Sequence, residues 1–201
     1  MISIKMTGIK EAMNSLDPKK VTTAARMAIN EAARQTRTEA SGAIREKFNL
    51  PSTRVNKELK NLKMATGADL TAVIQAEGRP IGLVNYGATW VRGTRVTTGK
   101  MSKTTKRAGK NQGVTVKILK GPVTRLPSAF IARGMRGKTL GAGALQVFQR
   151  RGTSRNAPLV NMASITLPSM MNQDRVMQRV IKKAQEVMDR RFNYHLERLL
   201  K

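Results

Sequence analysis

The chain has 201 residues, a formal net charge of +26, 3% aromatic residues and no Cys. Those features exclude disulfides, Cys-ligated zinc, iron–sulfur clusters and a thiol nucleophile, and they fit a reducing compartment. A chain with that excess of cations repels itself, so a polyanion, an acidic protein surface or both should lie against it.

The charge is unevenly placed. Between Glu77 and Asp174 lie 96 residues with 17 Lys and Arg and no Asp or Glu, whereas residues 1–77 hold 13 bases and 8 acids and residues 174–201 hold 8 and 4. The length predicts a single domain over 1–201. An apolar content of 40%, mostly Ala, Val, Ile, Leu and 12 Met, supplies a modest core. No apolar run approaches the roughly 20 residues of a membrane span. The start, Met1-Ile-Ser-Ile-Lys-Met-Thr-Gly, reads as structure rather than a secretion signal, so the expectation is a soluble product with no membrane partner.

In chain order, Ile2, Ile4 and Met6 alternate with polar residues and predict a short strand ending near Gly8. Asp17-Pro18 marks a helix start, because Asp accepts from free first-turn amides and Pro gives up a donor that has no partner there. Val21, Ala25, Ala28, Ile29, Ala32, Ala33, Thr36, Ala40, Ala43, Ile44 and Phe48 then recur at spacings of three and four, with Ser41-Gly42 as a place for a kink. The small side chains allow close approach of another element, and subunit neighbours are one candidate for it. Asn49-Leu50-Pro51 ends the helix. Ser52 to Leu62 reads as a second helix with Val55, Leu59 and Leu62 on one side.

After Leu62 the pattern becomes β: Leu70 to Gln75, Ile81 to Val84, Thr89 to Val91 and Val114 to Ile118. Ala129–Arg133 and Leu145–Arg150 predict a hairpin around a Gly-rich loop at about 134–143. Ala157 to Leu167 leads through Pro168 into a closing helix with a stripe of Val176, Met177, Val180, Ile181, Ala184, Val187, Met188, Leu196 and Leu199. The resulting fold class is α+β: a long N-terminal helix and a C-terminal helix packed on a central, mostly antiparallel β-sheet.

The segment from about 92 to 113 has seven bases and little to bury, and reads as a flexible basic arm between two strands. Arg92, Arg95, Lys100, Lys103, Lys106, Arg107 and Lys110 are its candidate contacts to nucleic-acid phosphates or to an acidic partner; a solvated surface loop is the alternative. Arg133, Arg136 and Lys138 are further candidates around the Gly-rich loop. Tyr86, Trp90, Phe130 and Phe148 fall within apparent strands and do not interleave with the arm's cations, so contact should be insensitive to base sequence. Trp90 reads as a core or interface anchor.

No catalytic, cofactor-binding or metal-binding set emerges. The sole His, His195, sits in the closing helix near Leu196 and Leu199 and reads as a packed helical residue. The acid-free centre has no carboxylate pair for acid–base chemistry or an oxygen-ligand metal cage. The Gly residues of 134–143 lack the Lys-Ser/Thr ending of a phosphate-binding loop. The chain is expected not to be an enzyme.

Arg26-Met-Ala-Ile-Asn-Glu-Ala-Ala-Arg34, Leu126-Pro-Ser-Ala-Phe-Ile131, Val147-Phe-Gln-Arg150, Pro158-Leu-Val, Ile165-Thr-Leu-Pro-Ser169 and the basic closing helix resemble, in that order, the minor tail protein Z family of long-tailed, lambda-like bacteriophages. The resemblance implies a virion structural protein of the neck or upper tail, assembled in the host cytoplasm, that acts in tail completion. It implies a homo-oligomeric ring, six subunits being favoured, between the tail terminator or tail tube and the head–tail connector, holding the phage DNA end. Charge alone leaves open a second reading, a sequence-nonspecific nucleic-acid-binding protein of the nucleoid or ribosome.

Overall fold

The structure is a computed structural model and describes residues 2–5, 17–91, 113–134, 144–152, 154 and 156–200. The chain forms two compact units, one of Met1–Glu46, Pro51–Arg79 and Thr166–Lys201, the other of Lys47–Leu50 and Pro80–Ile165. The elements are helices and antiparallel strands, as α+β requires. The strands divide among three three-stranded sheets.

The first unit is built on helix α1, Pro18–Lys47. Its start is capped as the sequence predicts: the Asp17 Oδ1 accepts from the Lys19 amide at 2.9 Å, with Pro18 opening the first turn. The helix runs uninterrupted through Ser41-Gly42. Each small or apolar residue of its predicted stripe is buried, so the Ala-rich face is already covered within this chain and is not left for a neighbouring subunit. Asn30 ties the helix to the loop after β2, donating through Nδ2 to the Ala65 carbonyl at 3.0 Å and accepting the Ala65 amide at 2.7 Å.

Helix α2, Ser52–Glu58, is shorter than expected, because Leu59–Lys63 forms strand β2 instead of continuing it. Local helical spacing yields here to pairing of β2 with strand β3, Thr71–Ala76, whose other edge takes strand β1, Ile2–Lys5. Leu59 stays buried in its strand, whereas Leu62 is 59% exposed and loses its predicted place on the apolar side. On β3, Ala72 and Ile74 face the core with Ile2, Ile4 and Leu59, an alternation fixed by the period of two.

Helix α3, Leu167–Met171, is capped by the Thr166 hydroxyl, which accepts the Ser169 amide at 3.3 Å. Helix α4, Asp174–Leu200, follows, with an acid at its positive end. Val176, Val180, Ala184 and Val187 of the predicted stripe are buried. Ile181 departs from it at 44% exposure, and His195 joins it: positions 176, 180, 184, 187 and 195 keep the turn-by-turn spacing that 181 breaks.

The second unit holds two sheets. Strands β4, Thr89–Val91, β5, Gly113–Val116, and β6, Thr124–Pro127, form one; β7, Ala129–Arg133, β8, Leu145–Arg150, and β9, Leu159–Asn161, form the other. The chain passes between them at Ser128, whose φ of 63° is in the left-handed region. The predicted strand at Ile81–Val84 is instead a 3-10 turn, Leu83–Tyr86. The Asn85 amide and Nδ2 both bond the Gly82 carbonyl at 3.0 Å, which bends the chain too tightly for a ladder. Tyr86, Val114, Val116 and Val147 form its core, while Trp90 is 45% exposed and is not a core anchor.

Candidate nucleic-acid interface

Strand pairing fixes where the two stretches that hold most of the predicted contact cations leave the second unit. Val91 and Gly113 are register partners, so residues 92–112 depart from and return to adjacent points of one sheet. Gly113 also opposes Pro127, and a side chain there has no room: a Cβ on Gly113 would meet the Leu126 carbonyl oxygen at 2.4 Å. The absence of a side chain is what lets β5 come this close to β6 at the root of the stretch.

The second stretch departs in the same way. Arg133 opposes Leu145 and the Gly134 amide bonds the Ala144 carbonyl at 3.1 Å, so residues 135–143 are spanned by the predicted β7–β8 hairpin. The second root lies at the Arg133 end of β7, whereas the first faces Pro127, two residues before β7 begins. Of the predicted contact residues, Arg133 is exposed at the end of β7. Arg92, Arg95, Lys100, Lys103, Lys106, Arg107, Lys110, Arg136 and Lys138 lie outside the described residues.

The aromatic side chains near these roots are already engaged or set apart. Phe130 and Phe148 are cross-strand partners with ring centroids 6.1 Å apart, and the Arg150 guanidinium sits 5.9 Å from the Phe130 ring. Tyr86 is fully buried. Trp90 alone among the four aromatic residues singled out from the sequence has a substantially exposed ring, one residue before the β4 end of the first stretch.

In the first unit the acids of α1 are paired with α4. Glu31 Oε1 accepts from the His195 Nε2–H at 3.1 Å, and its other oxygen lies 2.9 Å from Arg191 Nε as an ion pair without hydrogen-bond alignment. Arg179 donates through Nε to Glu39 at 2.6 Å and through Nη1 to Glu46. The bond to Glu39 first, then that to Glu46, raises the Arg179 pKa above its ordinary value. Because Glu31 meets residues 191 and 195 while Glu46 meets 179, α1 and α4 run antiparallel along a seam of about 22 Å. All three acids of α1 are consumed on this seam. Arg34, Arg37 and Arg45 of the same helix form no ion pair among the described residues. Sequence reading passed over them because this flank contains acids; the overlooked signal is that 34, 37 and 45 fall off the three-and-four rows of Glu39 and Glu46, while Glu31, three residues before Arg34, is taken by Arg191 and His195.

His195 is thus a buried helical residue held by a carboxylate, in keeping with its expected packing role. Among the described residues no cluster of three or more His, Cys, Asp or Glu side chains is placed to hold a metal ion, and no helix is long and apolar enough to cross a membrane.

The class these features define is a strongly basic α+β protein in which the acids of α1 are paired with α4 while Arg34, Arg37 and Arg45 stay unpaired among the described residues. The family model described as Prophage minor tail protein Z (GPZ) matches residues 6–201, and the chain belongs to that family. It is thereby a phage minor tail structural protein, with other virion proteins as its partners and the virion as its place. No curated protein and no solved structure matches it.

Proposed function

We propose that this protein completes the tail as a ring in the neck or upper tail, six subunits being the favoured number. It joins the tail terminator or tail tube to the head–tail connector and contacts the phage DNA end. The observation that carries the DNA contact is the partition of charge: the acid-free residues 78–173 include both basic stretches rooted on the second unit, while the acids of α1 are bound to α4. A ring multiplies each basic stretch by the number of subunits and aims it at the channel. Trp90, exposed beside the first root, is the anchor for an adjoining subunit or ring.

The contact is to backbone phosphate and insensitive to sequence, since no exposed aromatic set is available for base stacking among the described residues. Replacement of Arg92, Arg95, Lys100, Lys103, Lys106, Arg107 and Lys110 by Gln tests it. If all seven neutralise phosphates, the logarithmic salt slope of duplex binding falls by about 6, at roughly 0.9 per phosphate. An unchanged slope assigns these cations to acidic protein rings. Reconstruction of the phage particle tests the position: density for this chain away from the neck and upper tail refutes it.

A further inference from the structure

We infer that α1 carries a second nucleic-acid site, a groove for backbone phosphates formed by Arg34, Arg37 and Arg45. It lies in the first unit and does not depend on the basic stretches of the second. A groove of about 450 Å³ is lined by these three arginines with Thr38, Ser41 and Gly42 of α1 and Asn56 of α2. The α1 positions recur every three or four residues, so one helix face supplies nearly the whole wall.

Three observations point to a phosphate chain as the occupant. The arginines have no carboxylate partner among the described residues, because Glu31, Glu39 and Glu46 are held by α4 and Glu58 by Arg54 at 2.5 Å. Arg37 is already oriented: its Nη2 donates to the Asn56 carbonyl at 3.1 Å, which fixes the planar fork and leaves its remaining N–H groups available. From Arg34 to Arg45 the helix rises about 16 Å, a length that suits a linear polyanion better than one small anion. Three of the seven lining side chains are guanidinium groups, whose planar forks match phosphate oxygens, and the others are Thr, Ser and Asn hydroxyl or amide groups and a glycine. A row of unpaired guanidinium groups over that length favours the evenly spaced phosphates of nucleic acid over an acidic protein.

Gly42 provides a way to close the groove without disturbing the core. A Cβ built there meets nothing within 4 Å, so Gly42→Glu places a carboxylate among the three arginines at a position with room for it. The test measures binding of a fluorescent random-sequence DNA duplex to the full chain by anisotropy between about 50 and 300 mM salt. Four forms are compared: wild type, Arg34→Gln/Arg37→Gln/Arg45→Gln, Gly42→Glu, and Lys19→Gln/Lys20→Gln/Arg26→Gln, which removes the same charge from other parts of α1.

The groove triple should lower the salt slope by about 2.7 and weaken binding at 0.1 M salt by roughly 500-fold, at roughly 0.9 per phosphate contact. Gly42→Glu should weaken binding with its circular dichroism spectrum unchanged, and the Lys19/Lys20/Arg26 control should leave the slope nearly as in wild type. An unaltered slope in the groove triple, an equal loss in the control, or no DNA binding by wild type overturns the inference. Loss of binding to polyglutamate in place of DNA also overturns it and assigns the groove to an acidic protein. The seven-cation variant run alongside separates the two sites: loss there but not in the groove triple rejects the groove alone, and the reverse rejects the basic stretch alone.

Discussion

Two glycine-to-alanine replacements in this chain should change stability in opposite directions, and the sign of each follows from its surroundings. At Gly42 the added methyl enters open space on an exposed helix face. Ala is favoured over Gly in a helix interior by about 1 kcal/mol, so Gly42→Ala should stabilise by that amount. At Gly113 the methyl would lie 2.4 Å from the Leu126 carbonyl oxygen and 3.2 Å from both the Leu126 carbonyl carbon and Pro127 Cα. Relief requires β5 to move by about 1 Å, since the obstructing atoms are backbone and no rotamer removes them. Overpacking of this kind costs about 1–3 kcal/mol, and the lack of side-chain escape puts Gly113→Ala at the upper end, about 3 kcal/mol. In thermal melts followed by circular dichroism, at about 2–4 °C per kcal/mol for a chain of this size, Gly42→Ala should raise Tm by about 2–4 °C and Gly113→Ala lower it by about 6–12 °C. A Gly113→Ala melt within about 0.5 kcal/mol of wild type would refute the close approach of β5 and β6. A destabilised Gly42→Ala would show that the groove face is already filled.

Three further outcomes test the framework that positions these surfaces. Ile74→Ala on β3, at a fully buried position, should cost about 2–5 kcal/mol in urea denaturation, and Ile74→Val only about 0.5–1.5. Asn30→Ala removes both hydrogen bonds to Ala65 and should destabilise by about 1–3 kcal/mol, with Asn30→Asp retaining the acceptor and part of the stability. Arg179→Gln should lower Tm at low salt by unpairing Glu39 and Glu46 across the α1–α4 seam, and the loss should shrink in about 1 M salt, where the screening length is near 3 Å; a salt-independent loss would mean that the side chain acts by packing.

The legible parts of the fold were those set by neighbours in sequence. The α1 stripe from Val21 to Phe48, its Asp17-Pro18 start and its Leu50-Pro51 end follow from side-chain period and cap chemistry, and the structure keeps all of them. So do the β3 segment, the β5 alternation and the pairing of β7 with β8. The failures sit where distant partners compete with local pattern. Leu59 and Leu62 carry helical spacing, yet β3 supplies a ladder that the local sequence does not reveal. Ile81 to Val84 has strand-forming residues, yet Asn85 and Gly82 close a turn on them. Strands β6 and β9, with exposed and irregular side-chain patterns, offered too little alternation to be read.

The division is sharper for the charge. Composition and order alone determined that this chain is a cation-rich, cysteine-free α+β protein with its acids kept out of residues 78–173, because counting and local periodicity need no third dimension. They also carried the resemblance to the family to which it belongs. Which cations of the helical flank remain unneutralised was decided only by tertiary structure. Glu31, Glu39 and Glu46 are near Arg34, Arg37 and Arg45 in sequence, but their partners lie some 130 to 160 residues away on α4. Ion pairing follows distance in space, and the antiparallel approach of two helices turned a flank of mixed charge into one face of closed pairs and another of open arginines.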